Sequence, residues 1–251
     1  MDNRRIYGSS VKIDSDRTKS FYDDRADKME HMENPYVSVL LGDQNPEYAV
    51  LWNQFEKEHI LPKLQIDSDS CVLDIGCGMG RWAESLIPIS KYYCGTDISA
   101  KMLEQARKRN EVSDKEYDFL HYSFEEFCQL PVSQIKHKFN RLVMCGVFMY
   151  INDDVIERGL KLLCDKLDSK VKVYFTETIA LKERLTLKEF YSSALKTEYD
   201  VIYRTEAEYN AFYKEWIKNG FKIKEQGLLP HLNKENEYRE TDRWYTILER
   251  E

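Results

Sequence analysis

Asp74, Gly76, Gly78 and Gly80 fall at alternate positions in the stretch DIGCGMG, and a second acid, Asp97, ends the later stretch YCGTD. Glycine weakens a strand interior and packs nothing there. Three at this spacing imply backbone that bends through unusual dihedrals or lets a ligand come close. A dinucleotide loop needs Gly-x-Gly-x-x-Gly, so that a pyrophosphate can rest on a helix N-terminus. Here the third glycine comes one residue early, and Arg81 stands at the dinucleotide position. A phosphate-cradling loop would end in Gly-Lys-Ser/Thr, which is absent. An acid before the loop and an acid after the next apolar run suit a ribose diol instead, since a carboxylate accepts from both hydroxyls. The chemistry implied is the binding of a nucleoside that carries no pyrophosphate.

The elements that would position these groups alternate. Apolar strand candidates lie at 70–75, 92–97, 117–121, 139–145 and 171–176, with helix-like segments at 80–87, 99–109, 124–129 and 152–167 between them. That rhythm predicts an α/β fold, a doubly wound and mostly parallel sheet with helices on both faces and right-handed crossovers. Ligands then bind at the carboxyl ends of the strands, beside the switch in strand order. Ahead of the sheet, residues 1–15 are polar and expected to be loosely held, and 16–32 read as a charged helix. Asn45-Pro46-Glu47 is a helix start, with the helix expected to stop at Leu61, before Pro62. After the sheet, Leu181, Leu185, Leu187, Phe190, Tyr191, Leu195, Tyr199 and Tyr203 are read as an amphipathic helical insertion. A helix over 206–219, stopped by Gly220, and two closing strands joined by the polar loop 230–241 complete the chain. The expected division is one domain: an N-terminal helical cap over 1–62, a cofactor-binding core over 63–177, and an insertion with the final strand pair over 178–251 on the substrate side.

Composition narrows the partners. The 251 residues hold 37 Lys and Arg against 44 Asp and Glu, a formal charge of −7. That argues against nucleic acid, which needs a cationic surface to displace counterions. The six cysteines form no CxxC pair, and no secretory pattern opens the chain, so a reduced cytoplasmic protein without zinc is expected. No apolar run approaches the roughly 20 residues of a membrane span.

Four stretches in order, VLDIGCGMGRW, GTDIS, HYSFEEF and FNRLVMCGVFMYIND, resemble the small-molecule type of class I S-adenosylmethionine-dependent methyltransferases. The resemblance covers 71–177 well and the final strand pair in outline. It implies a Rossmann-like sheet of seven strands with the last antiparallel, S-adenosylmethionine as cofactor and S-adenosylhomocysteine as product. In that family Asp74, Gly76, Cys77, Gly78 and Gly80 would pass the methionine part. Asp97 would hold the ribose, with Ile98 against the adenine and Met102 nearby. Ser123 and Phe124 would flank the adenine, and Cys145 and Gly146 would lie beside the methionine. Ser123 stands where the family often has an acid for the adenine amino group. Tyr22 and Arg25, three apart and so on one helix face, would close on the methionine carboxylate.

A sulfonium methyl is already activated, so the protein must align a nucleophile and exclude water. A hydroxyl acceptor calls for a base, and the candidates at the carboxyl edge are Tyr150, Glu177 and His231. The expected acceptor is a small molecule, a hydroxyl of a sugar or natural-product intermediate. N-methylation of a small amine, methylation of a macromolecule, and a non-catalytic cofactor-binding module are the alternatives.

Overall fold

A computed structural model of the chain describes residues 4–40, 45–111, 114–230, 232 and 240–251. Five strands run parallel: β2 (Cys71–Ile75), β3 (Tyr92–Asp97), β4 (Glu116–His121), β5 (Phe139–Cys145) and β6 (Leu167–Ala180). With β9 (Lys222–Leu228) and β10 (Thr241–Arg250) they form a seven-stranded sheet in the order β4-β3-β2-β5-β6-β10-β9. β10 is antiparallel to both neighbours, as expected of the last strand. The chain leaves β2 for β3 on one side and returns to β5 on the other, which opens a crevice at the carboxyl end of β2.

Successive side chains of each strand face opposite ways, and two apolar layers follow from that. Leu73, Ile75, Leu142, Met144, Val173 and Phe175 face one layer, where α7 (Phe124–Gln129), α8 (Asp153–Leu163), α9 (Glu206–Phe212) and α10 (Lys214–Lys218) supply Phe124, Phe127, Ile156, Leu160, Tyr209 and Trp216. Val72, Val143, Tyr174 and Ile247 face the other. There α3 (Pro46–Phe55), α5 (Ala83–Leu86) and α6 (Ala100–Arg109) bring Ala49, Trp52, Ala83, Leu86, Leu103 and Ala106. Alternation places Asp74 on this second face.

Several local expectations give way. The segment after β6 is not helical: β7 (Leu185–Ser192) and β8 (Thr197–Tyr203) form an antiparallel hairpin. Leu185, Leu187 and Val201 point one way with period two and pack on Met149 and Tyr150, and the runs are rich in aromatic and β-branched residues that favour strands. Residues 5–7 also take a regular place, since β1 (Arg5–Tyr7) adds a third strand beside β7. α3 does not stop at Leu61. It passes through a wide π turn, Glu56–Ile60, into α4 (Leu61–Leu64), where Pro62 sits in the first turn and needs no donor. β6 runs past Glu177, which therefore lies inside the strand, opposite Trp244.

α1 (Ser15–Lys28) crosses the carboxyl edge of the sheet, capped by Asp14. Asp23 accepts from Ser99 at 2.5 Å, and rim ion pairs join Lys101 to Asp27 and Arg17 to Glu198. α2 (Val37–Leu40) follows it. Among the described residues no helix is long and apolar enough to cross a membrane.

Gly159 of α8 faces the Phe124 ring so closely that a Cβ would overlap it. Alanine improves helix propensity by up to about 1 kcal/mol, yet Gly159→Ala is expected to lower stability by about 1–3 kcal/mol through overpacking. Urea unfolding measures the sign.

Candidate active site

At the end of β2 the backbone takes positive φ at Gly76 (71°) and Gly78 (55°), values that glycine adopts freely. The turn is tied to β3: the Gly76 and Cys77 amides both donate to the Thr96 carbonyl, at 2.7 and 2.9 Å. Asp97 completes the tie. Its Oδ2 accepts from the Gly78 amide and its Oδ1 from the Ser99 amide, each at 2.8 Å. Burial pushes the Asp97 carboxyl up to about 6, against the pull of those two amides. A Cβ on Gly78 would stand 2.7 Å from Val39 Cγ1, so the bare backbone also lets the N-terminal segment close over the loop.

Over this turn lies a crevice with two lobes. The outer lobe, about 480 Å³, is lined by Gly76, Gly78, Asp97, Ile98, Ser123, Phe124, Cys145 and Gly146, roofed by Ser15, Thr18, Lys19 and Tyr22 of α1. A smaller inner lobe, about 90 Å³, is lined by Asp74, Cys77, Glu56, Arg81, Trp82, Met149, Glu177, Thr178 and Arg243. Tyr22, Val39, Gly76, Cys145, Gly146 and Tyr150 line both, so the lobes are continuous.

Most of the expected binding residues therefore meet in one place, and three do not. Gly80 turns its carbonyl to Asn110 and packs on Ala106 of α6. Met102 is fully buried among Ala26, Met29 and Met79. Arg25 lies under the cap, its Nε donating to the Ser38 carbonyl at 2.8 Å and its guanidinium carbon 5.6 Å from the Phe21 ring centroid. A helix face shared by Tyr22 and Arg25 did not bring both to the crevice, because α1 rolls Tyr22 toward it and Arg25 toward α2. Ser123 reaches the outer lobe as the cap of α7, its hydroxyl engaged with Glu126 at 2.8 Å. His231 and most of the loop 230–241 lie outside the described residues.

Residues 72–169 match the methyltransferase-domain family. That stretch carries a methyltransferase domain. Solved structures share the Rossmann-like fold of this chain. A Leishmania major S-adenosylmethionine-dependent methyltransferase aligns at 14% identity over 95% of this chain and 87% of its own, with a TM-score of 0.63. The magnesium protoporphyrin IX methyltransferase of Synechocystis, with bound S-adenosylmethionine, aligns at 15% identity over 97% and 100%, TM-score 0.63. Phosphoethanolamine N-methyltransferase 1 of Haemonchus contortus aligns at 18% over 93% and 48%, TM-score 0.66. No curated protein sequence matches the chain.

Two buried charges shape the inner lobe of the methyltransferase. Glu177 Oε1 accepts from the Val147 and Phe148 amides at 3.0 and 2.9 Å, and its Oε2 from the Met149 amide at 3.1 Å. The fully buried Arg204, just beyond β8, donates to the Phe148 and Ile151 carbonyls at 2.7 and 2.5 Å and to Asp153 at 2.8 Å. Together they grip both ends of the short 3-10 turn Phe148–Tyr150. Tyr150 is thereby held edge-on to Tyr22, ring centroids 5.5 Å apart. Burial pushes the Tyr22 phenol up to about 12 and Tyr150 well above its ordinary value. Both stay protonated near neutrality. Glu177 has both oxygens engaged by the turn it holds.

The sequence reading passed over Arg81, Glu56, Arg204 and Arg243. Arg81 directly follows Gly80, and its adjacency to the loop was the available signal. Its Nη1 lies 2.7 Å from Glu56 Oε2, with Glu56 Oε1 accepting from Tyr174 at 3.0 Å. The π turn after α3 is what aims Glu56 inward, and no composition cue announces it. Asp74 accepts from the Tyr93 hydroxyl at 2.7 Å, and burial pushes its carboxyl up to about 7.

Burial likewise raises Glu177 from its usual value to about 7, against three amide bonds. A raised folded value adds stability that is complete below the unfolded value and lost as pH rises through the folded one. In Glu177→Gln the amide NH2 turns a donor toward a backbone donor, at a cost of about 1–3 kcal/mol. The stability gap to wild type is expected to be widest near pH 5 and to narrow toward pH 8. Paired urea titrations across that range, in which the other acids cancel, read this out.

Proposed function

We propose that this methyltransferase binds S-adenosylmethionine along the two lobes and transfers its methyl group to a hydroxyl of a small molecule. The observation that carries this reading is a nucleoside-sized lobe running into a small, partly enclosed one, the two meeting at Tyr22, Gly76 and Tyr150. The residues fit the cofactor. Asp97 offers carboxylate oxygens where a ribose diol would lie, and Ile98 and Phe124 offer apolar surface for an adenine, with Ser123 between them and solvent. Cys145 and Gly146 form the passage between lobes. At its far end Arg81 can meet a carboxylate and Asp74 an ammonium, the two charges of the methionine tail. The cofactor supplies a methyl already activated on a sulfonium.

The chain's own residues then align and shield. Tyr22 and Tyr150 wall the junction of the lobes and donate hydrogen bonds to an acceptor placed there. Glu177 and Arg204 fix the turn that carries Tyr150 and so act as positioning residues. Alignment of this kind can supply several kcal/mol of the barrier, up to about 7–11 in the best intramolecular cases. The acceptor's proton passes to a base, His231 in this reading, as its oxygen bonds to carbon and the sulfur keeps the electron pair. In this reading the cap over 1–62 and the segment over 178–251 build the substrate side around the core. A formal charge of −7 disfavours a nucleic-acid acceptor. The named acceptors of the similar structures, magnesium protoporphyrin IX and phosphoethanolamine, are small molecules as well.

Calorimetric titration with S-adenosylhomocysteine tests the pocket. Asp97→Ala is expected to weaken binding by about 10- to 150-fold, the equivalent of about 1.5–3 kcal/mol for bonds to a charged group. Unchanged affinity in a folded variant would refute the ribose assignment. In wild type the carboxylate form is the acceptor, and it fills as pH rises through about 6. Affinity is therefore expected to rise by about tenfold from pH 5 to pH 7, and Asp97→Asn should lose that dependence.

A further inference from the structure

Arg243 enters the inner lobe from β10, directly across the β10–β6 ladder from Thr178, which lines the same lobe. One of its Nη atoms donates to the Leu40 carbonyl at 2.9 Å, and its guanidinium carbon lies 4.6 Å from the Trp52 ring centroid. These contacts orient the group without neutralising it. Among the described residues no carboxylate forms an ion pair with it. The other guanidinium of the lobe, Arg81, is paired with Glu56; of the lobe's other acids, Glu177 is held by three amides and Asp74 accepts from the Tyr93 hydroxyl through one oxygen.

A guanidinium keeps its charge at every physiological pH, and its planar fork matches two oxygens of a carboxylate or phosphoryl group. A fixed charge half-withdrawn from water is stabilised by an opposite charge delivered to it. We infer that the methyl acceptor carries a compact oxyanion, carboxylate or phosphoryl, and that Arg243, with the Thr178 hydroxyl beside it, anchors that group while the nucleophile faces Tyr22 and Tyr150. The inference rests on the methyl-transfer reading and makes Arg243 a specificity-determining residue. A neutral polyol or a cationic acceptor gains nothing from this anchor.

The test uses the protein saturated with S-adenosylhomocysteine, titrated calorimetrically with inorganic phosphate, acetate and tetramethylammonium in turn. Millimolar binding of phosphate or acetate is expected, weakened at least tenfold in Arg243→Met and largely kept in Arg243→Lys, and the tighter anion names the acceptor's class. Absence of binding by both anions, equal binding by Arg243→Met, or binding of tetramethylammonium in their place would overturn the anchor alone. Failure of S-adenosylhomocysteine itself to bind would overturn the methyl-transfer reading and the anchor with it. Should Arg243→Met not fold, phenylglyoxal modification of the wild-type complex gives the same decision. Phosphate or acetate is expected to protect Arg243, read by peptide mass spectrometry, and modification unaffected by either anion would count against the proposal.

Discussion

The Asp97 carboxylate is the point on which the rest of the site depends. It ends β3, and through the Gly78 amide it holds the glycine turn at the end of β2, while through the Ser99 amide it starts α6. Two strands and a helix are thus joined at one buried group, and the crevice opens where they meet. The same carboxylate lines the outer lobe. Structure and binding compete for its oxygens, which each have two lone pairs to offer. A carboxylate held mainly by backbone amides keeps its direction whatever the neighbouring side chains do.

A second constraint works on the opposite wall. The turn Phe148–Tyr150 has too few residues to satisfy its own amides and carbonyls. Glu177, from within β6, takes the amides, and Arg204, from the end of the hairpin, takes the carbonyls. Because Arg204 also binds Asp153 at the start of α8, the hairpin, the turn and the helix move as one piece. Met149 and Tyr150 pack on Leu185, Leu187 and Val201, so the β7–β8 unit that looked peripheral in the chain sets the position of an aromatic in the crevice.

What could be read beforehand divides along physical lines. The five parallel strands, the glycine turn and Asp97 were legible because apolar runs and glycine spacing are local signals. Gly80 and Met102 share that local stretch, yet their placement depends on how α6 packs, which no local pattern specifies. The hairpin at 185–203 was misread because its leucines and tyrosines fit a helical spacing as well as an alternating one. Period two emerges only when Leu185, Leu187 and Val201 are set against their partners. Arg243 was invisible for a related reason: only the β10–β6 register places it opposite Thr178. The charges that matter most in the inner lobe are brought there by pairing over long sequence distances.

The roof formed by α1 has an ionic corollary. Tyr22 and Lys19 overhang the crevice, and the helix is fastened to the rim by Asp23 on Ser99 and by the surface pairs of Asp27 with Lys101 and Glu198 with Arg17. The helix thus forms one wall of the outer lobe's mouth. Since exposed ion pairs are screened within a Debye length of about 8 Å in physiological salt, added electrolyte weakens the two ion pairs of this fastening and leaves the Asp23–Ser99 hydrogen bond to hold the helix.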